Sequence, residues 1–180
     1  EPPKLNVCFL DIEVDFDPQR GYSSPDDPFT PITAIGVYLQ WMDAMVCLAV
    51  PPKTLTWEQA QEVVKPLPEV MLFRTEKEML DTFLEMIDDA DVLTGWNSEG
   101  YDIPYIVNRI TKTMGKAETR RMCLMKKLPK ARSYEKFGNE VNTYDLVGRI
   151  HLDYLELYRK YNYEERHSYR LDYIGEMEVG

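Results

Sequence analysis

Cysteine and histidine are scarce in this 180-residue chain, which limits the kinds of site it can build. The three cysteines, Cys8, Cys47 and Cys123, have no CxxC spacing, and this argues against a disulfide framework or a zinc site and for reduced thiols. The two histidines, His151 and His167, stand 16 residues apart without a Cys or Glu partner at ligand spacing. We expect both to be structural or surface residues, so the chemistry must come from other residue types.

Long apolar runs are also missing, and nothing approaches the roughly 20 residues needed to cross a bilayer. The chain begins at Glu1 without a basic and apolar leader, so it has no targeting segment to interpret and reads as the interior of a longer protein. Hydrophobic residues make up 44% and charged residues 29%, which is ordinary for one globular domain. We expect a cytoplasmic location and no membrane partner.

Positive charge is in overall deficit, with a net charge of −10 that at first argues against a nucleic-acid partner. The distribution is uneven, however, because ten Lys or Arg and only two acids lie between Arg109 and Lys136. This basic island carries +8 and leaves −18 on the rest of the chain. An island of this kind suits a phosphate backbone and suits a solvated helical face equally well, so charge alone leaves both interpretations open.

Hydrophobic patterning predicts strands first and then alternating helices and strands, which indicates a single α/β domain. Strands are predicted at 4–14, 32–40, 44–50 and 91–96, with a hairpin over 132–147 that turns at Phe137-Gly138-Asn139. Helices are predicted at 56–65, 76–89, 102–113, 117–127 and 150–161, with another beginning near Tyr169. A capping-box pattern begins the second helix at Thr75. The stripe expected in the core comprises Tyr154, Leu155, Leu157, Tyr158 and Tyr161.

Asp11 and Glu13 carry the strongest local signal, because they follow a short apolar strand and are two residues apart. Residues i and i+2 of a strand point to the same face, so the two carboxylates emerge side by side. Their repulsion at the edge of a core favours a divalent cation such as Mg²⁺ or Mn²⁺, which prefers carboxylate oxygen. Taken alone, the pattern fits a strand running into solvent, with both acids hydrated, better than a metal site.

Asp102 is the second signal, since it follows a predicted strand, a short loop after Trp96, and stands where a helix begins. By itself it is expected to be an N-cap, because Asp satisfies free amides in the first helical turn. Capping does not exclude a metal role. Adjacent parallel strands would bring Asp102 towards Asp11 and Glu13, but one sequence does not establish that adjacency.

Together these residues resemble the first and second exonuclease motifs of the DEDD nucleases in family B DNA polymerases. The first motif is Asp11-Ile12-Glu13, and the second is Asn97-x-x-x-Tyr101-Asp102, some 85 residues later. Further segments that look like this domain lie at 32–36, 93–97, 103–110, 148–153 and 168–174. The likeness covers nearly the whole chain and is greatest to the replicative polymerases of T-even-type phages.

The resemblance implies a ribonuclease H-like mixed sheet flanked by helices, with an inserted β-hairpin, acting as a metal-dependent 3′→5′ proofreading exonuclease. Four carboxylates would hold two divalent cations, Mg²⁺ or Mn²⁺. Asp11 would bridge both ions, Glu13 would bind the ion that activates water, and Asp102 would hold the second. Asn97 and Tyr101 would line the cleft for the single-stranded 3′ end of a DNA primer, with Tyr101 stacking on a base. The other partner implied is the rest of the parent polymerase, whose primer and template strands the hairpin would help to separate.

The chain departs from the family at the third motif, Tyr-x-x-x-Asp, whose Asp completes the site. Its C-terminal region offers only Tyr169-x-x-Asp172, one residue short, in a segment resembling the one that precedes this motif. We therefore expect residues 1–180 to be a single exonuclease domain truncated before its last motif, with Asp172 structural. Asp153 is interpreted as an acid of a helical first turn. Because losing one member of a catalytic unit costs orders of magnitude in rate, we expect weak metal binding and little DNA degradation.

Three other functions stay open on the sequence alone. A free-standing nuclease of the same superfamily would need the fourth carboxylate. An inactive exonuclease fold kept as a scaffold or nucleic-acid-binding module would usually have lost its carboxylates. An unrelated acidic interaction domain would be favoured by a topology that separates Asp11, Glu13 and Asp102.

Overall fold

A computed structural model describes residues 1–136 and 138–180. Phe137, the first residue of the predicted hairpin turn, lies outside the described residues. The strands are β1 (Val7–Val14), β2 (Ile32–Leu39), β3 (Ala44–Ala49), β4 (Val70–Leu72), β5 (Val92–Gly95), β6 (Lys130–Lys136), β7 (Asn139–Asp145) and β8 (Ile150–Asp153). The α-helices are α1 (Trp57–Val64), α2 (Glu76–Met86), α3 (Asp102–Met114), α4 (Tyr154–Tyr161) and α5 (Leu171–Val179). None of the helices described is long and apolar enough to cross a membrane.

The main sheet has six strands in the order β4-β3-β2-β1-β5-β8. Strand β2 runs antiparallel to both β1 and β3, while β1 and β5 are parallel neighbours, as are β5 and β8. Strands β6 and β7 form a separate antiparallel hairpin. The predicted ribonuclease H-like α/β fold with an inserted hairpin is therefore confirmed. The adjacency of β1 and β5 also brings the two sequence motifs to one region of the sheet.

The alternation of side chains along β1 separates a core face from a face that carries acids. Cys8, Leu10 and Ile12 are buried, whereas Asp11 and Glu13 between and beyond them are exposed. The core face packs against α2 and α3, whose apolar side chains join the same hydrophobic cluster. This is the period-2 behaviour expected of a half-buried strand, and it places both carboxylates on the side of β1 away from that core.

Capping side chains begin the first two helices where the sequence predicts a start. Thr56 caps α1, and Thr75 caps α2, each in a reciprocal capping box with the residue three positions later. The α2 prediction is therefore confirmed at its N-terminus. Its first residue, Glu76, also forms a buried ion pair with Arg109 of α3, so the two helices are joined across the core face of the sheet.

The predicted basic helix at 117–127 is wrong. Lys116–Met122 forms a 3₁₀ helix instead, and the chain then turns at Lys126, whose φ is 51°. The segment is held by distant partners, since the Leu124 N–H donates to the Val147 carbonyl at 3.2 Å. Tertiary contacts of this kind override helix propensity.

The predicted helix at 150–161 is wrong in its first four residues, which form β8 and pair with β5. Pairing with a buried neighbouring strand decides the conformation here, and helical periodicity in the sequence does not reveal it. The aromatic stripe is not core throughout either, because Tyr154 and Tyr161 are 50% and 68% exposed, whereas Leu155 is buried. The short strand β4 was not predicted.

Candidate active site

The candidate site lies where the second half of β1 meets the loop that follows β5. A close backbone approach joins the two strands, and it depends on Gly95 at the end of β5. A Cβ atom added there would lie 2.5 Å from the Leu10 carbonyl oxygen, well inside van der Waals contact. Glycine therefore lets β5 and its loop come close enough to β1 for the two motifs to meet.

Asp102 is the buried member of the site, with only 3% of its surface exposed. Its Oδ1 atom accepts a hydrogen bond from the backbone N–H of Ile12 at 3.1 Å. Since Ile12 stands between Asp11 and Glu13, the Asp102 carboxylate lies against the peptide that joins the two exposed acids. The expected N-cap role is wrong: α3 begins at Asp102 itself, and Tyr101 at the cap position makes no side-chain capping bond.

The charges in the site are poorly compensated by the protein. Burial, and after it the negative charge of Asp11, raises the pKa of Asp102 from its ordinary value of 3.8 to about 7. Burial also raises the pKa of Asp11. No Lys, Arg or His in the described part of the chain forms an ion pair with Asp11, Glu13 or Asp102. An added cation would relieve this repulsion.

These carboxylates fit a divalent metal in their chemistry. Oxygen donors with negative charge and no protein cation beside them are what Mg²⁺ and Mn²⁺ prefer. Over residues 1–136 and 138–180, no three His, Cys, Asp or Glu side chains are arranged as a group that could hold a metal ion. Asp11, Glu13 and Asp102 are thus an open donor set and not a complete coordination shell.

Asp153 organises the loop between β5 and α3, a role that sequence reasoning missed. Its Oδ1 accepts from the Asn97 N–H at 3.0 Å, and its Oδ2 accepts from the Glu99 N–H at 3.1 Å. Oδ1 also accepts from the Leu155 N–H at 3.0 Å and so caps α4. The interpretation as a helical first-turn acid is therefore incomplete, because Asp153 ends β8 and holds the loop of the neighbouring strand. No local sequence signal reports such a contact.

Ser98 and His151 fix the same loop from below. The Ser98 hydroxyl donates to the Gly95 carbonyl at 3.1 Å and lies 2.8 Å from Nε2 of His151. Burial lowers the pKa of His151, so the ring is neutral near pH 7. The structural role expected of His151 is confirmed by this hydrogen bond.

Asn97 and Tyr101 lie in this loop, next to the carboxylates. Asn97 is exposed with φ of 57°, and its carbonyl accepts from the Tyr101 N–H at 3.1 Å. The Tyr101 ring stacks on Tyr105, with ring centroids 5.4 Å apart. Burial raises the pKa of Tyr101 to about 12, and the nearby charges of Asp102 and Glu13 contribute to the shift. Tyr101 is therefore a neutral phenol beside the acids.

Asp172 is exposed in the first turn of α5, where its Oδ2 lies 2.9 Å from an Nη2 atom of Arg170. The carbonyl of Tyr169 accepts from the indole N–H of Trp96 at 2.9 Å. These contacts give the Tyr169-x-x-Asp172 segment a structural role in docking the start of α5 beside the end of β5.

A family model described as the exonuclease domain of family B DNA polymerases matches residues 1–174. The chain belongs to this family. Membership rules out the unrelated acidic interaction domain.

Individual relatives agree with this assignment. The DNA-directed DNA polymerase of Escherichia phage RB69 is 31% identical over 98% of this chain and 21% of its own length. That of Enterobacteria phage T4 is 29% identical over 61% of this chain and 12% of its own length. The DNA polymerase delta catalytic subunit of Plasmodium falciparum is 26% identical over 96% of this chain and 16% of its own length. The phage relatives confirm the resemblance to T-even-type polymerases. This chain spans about a fifth or less of the length of each of these three relatives.

Proposed function

We propose that this exonuclease domain removes mispaired nucleotides from the 3′ end of a DNA primer in a metal-dependent reaction. The observation that carries the proposal is the buried Asp102 carboxylate, held by the Ile12 N–H and raised in pKa to about 7 by burial and by Asp11. A buried acid beside two more carboxylates destabilises the fold when it is charged. Such an acid is typical of a functional site. Binding of divalent cations supplies that function.

Asp11, Glu13 and Asp102 would hold the metal ions, which when bound activate water and stabilise the leaving oxygen of an in-line displacement. The protein's own contribution is positioning. The Ile12 N–H orients Asp102, while Asp153 fixes the loop that leads into it. Both contacts are made by buried or half-buried groups, so Asp102 and the loop that leads into it are held in place before any ligand arrives.

Asn97 and Tyr101 are proposed to receive the frayed 3′ strand. Both lie on the loop beside the carboxylates, and the neutral Tyr101 ring offers a π-face or edge to a base without adding charge. The β6–β7 hairpin is proposed to help separate primer from template. Arg132 of β6 supports it there by pairing with Glu99 of the loop, which ties the hairpin to the site.

The rest of the polymerase is the proposed protein partner, and the proposed place of action is the cytoplasm, that of the host cell if a phage encodes the protein. Residues 1–180 are proposed to act as one exonuclease domain in which three carboxylates, Asp11, Glu13 and Asp102, are assigned to metal binding. Removing one member of a catalytic unit lowers rates by orders of magnitude, so we expect the chain alone to bind metal weakly and to degrade DNA slowly.

The test is a long incubation of the chain with Mn²⁺ and a primer–template carrying distinguishable labels at its 5′ and 3′ ends. We expect slow release of 5′-mononucleotides from the 3′ end, faster from a mispaired terminus and stopped by EDTA. Asp11→Asn should abolish this release. Asp172→Asn is the matched control, since it removes an exposed carboxylate outside the site and should leave the rate unchanged.

Release that survives Asp11→Asn, or that starts at the 5′ end, would refute the proposal. No release from any variant, combined with unchanged binding of the 3′ end, would favour the inactive scaffold. Rapid degradation by the unmodified chain would overturn the expectation that a fourth carboxylate is needed.

A further inference from the structure

The structure divides the basic island of the sequence into two sets of cations. Four of its members are used internally, because they form ion pairs with acids: Arg109, Arg121, Arg132 and Lys136. The other six are exposed and make no ion pair with any described residue: Lys112, Lys116, Arg120, Lys126, Lys127 and Lys130. We call these six residues the basic surface.

Contacts within the segment place these six cations next to one another. The Arg120 guanidinium donates to the Lys126 carbonyl at 3.2 Å. Lys116 lines a small cleft of about 190 Å³ together with Leu128 and Pro129, which lie between Lys127 and Lys130. Lys112 is in the last turn of α3, and Lys116 begins the 3₁₀ helix that follows Gly115. The basic surface thus comprises exposed cations that follow one another from the end of α3, through the 3₁₀ helix, to the start of β6.

The backbone that presents the patch is firmly held. The buried Arg149 guanidinium donates to the Met122 carbonyl at 2.8 Å, and Arg121 of the 3₁₀ helix pairs with Asp81 of α2. Glu118, the acid between Lys112 and Lys130, has its Oε2 atom 3.4 Å from Nη1 of Arg121, which also pairs with Asp81. The six free cations are therefore displayed on a preformed scaffold with no acid paired to them in the described chain.

We propose that the basic surface binds the sugar–phosphate backbone of DNA, at a place separate from the 3′ end that enters the carboxylate site. Closely spaced point charges of one sign suit a row of phosphates, and lysine is well suited to contact them without base specificity. The rest of the chain carries −18 and repels DNA, so contact with the phosphate backbone is favoured at this patch. The position fits as well, because Lys130 begins β6, and Arg132 two residues on contacts the site loop.

The inference rests on the proposed function only in supposing that DNA is the substrate. Its test is made without a 3′ end and without metal: a fluorescent circular single-stranded oligonucleotide, titrated in EDTA at several salt concentrations and followed by anisotropy. The circular probe has no 3′ end to enter the carboxylate site. The assay therefore measures backbone binding independently of exonuclease activity.

The informative variant replaces Lys126, Lys127 and Lys130 by Gln. The slope of log K against log salt is negative, and each lost phosphate contact makes it shallower by about 0.7 for a single strand. The slope should therefore become shallower by about 2, and affinity at low salt should fall by at least about tenfold. The matched control replaces three exposed lysines outside the patch, Lys4, Lys53 and Lys77, by Gln. It makes the same change in net charge and should bind within about twofold of the wild type.

Equal affinity of the two triple variants, each folded by circular dichroism, would overturn the proposal. So would absence of binding to the circle by the wild type at low salt, which would assign the patch to an acidic protein partner. Binding that requires a free 3′ end would overturn it as well.

Discussion

Replacing Asp102 by Asn should stabilise the domain at alkaline pH, although it removes a residue of the candidate site. The pKa of Asp102 in the folded chain is about 7, above its ordinary value of 3.8, so the folded state holds this proton more tightly than the unfolded state. The stability that protonated Asp102 contributes to the fold is fully present below about pH 4 and is lost as the pH rises through about 7. At about 1.4 kcal/mol per pKa unit, the full shift amounts to at most about 4 kcal/mol.

Asparagine removes this loss because its amide carries no charge and its oxygen can still accept from the Ile12 N–H. Urea unfolding followed by circular dichroism in EDTA should show Asp102→Asn to be more stable than wild type at pH 8, by up to about 4 kcal/mol. At pH 4.5 the two proteins should differ by much less. Each kcal/mol corresponds to about 2–4 °C in Tm for a chain of this length.

Asp172→Asn is the control, because Asp172 also occupies a helical first turn but is exposed and paired with Arg170. The difference in free energy of unfolding between Asp172→Asn and the wild type should be nearly the same at pH 4.5 and at pH 8. If Asp102→Asn had the same effect on the free energy of unfolding at both pH values, burial and the charge of Asp11 would not be the cause of the raised pKa.

Two further substitutions test how the site is held. Gly95→Ala should destabilise the fold by about 1–3 kcal/mol in urea unfolding, because the new Cβ would meet the Leu10 carbonyl. Gly36→Ala in the same sheet is the control and should be nearly neutral, because its new Cβ would meet no atom within 4 Å. Equal effects of the two substitutions would contradict the close approach of β5 to β1. Asp153→Asn should speed amide hydrogen exchange at Glu99 and lower the free energy of unfolding by about 1–3 kcal/mol, because an amide nitrogen cannot accept the Glu99 N–H. Unchanged exchange at Glu99 would contradict the role of Asp153 in holding the loop.

Local patterns in the sequence predicted the parts of the site that depend on neighbouring residues. The two-residue period of a strand put Asp11 and Glu13 on one face, and the structure has them there. Thr75 and the residue three positions on predicted the start of α2, because a capping box is complete within four residues.

The remainder depends on contacts between distant residues, which one sequence does not display. The pairing of β1 with β5, which brings Asp102 to Ile12, joins segments about 85 residues apart. The same contact explains why Asp102 does not cap its helix, since its carboxylate is engaged by β1. Asp153 was missed as the support of the site loop for a similar reason, because its partner Asn97 lies 56 residues earlier.

The most direct test of a metal-binding carboxylate site is a crystal of the chain soaked at high Mn²⁺ concentration and pH 8, with anomalous density searched around Asp11, Glu13 and Asp102. We predict a peak within roughly 2–2.5 Å of oxygens from Asp11 and at least one of the other two, and its loss in Asp11→Asn. No peak at these carboxylates, with the three side chains placed as described, would contradict the account.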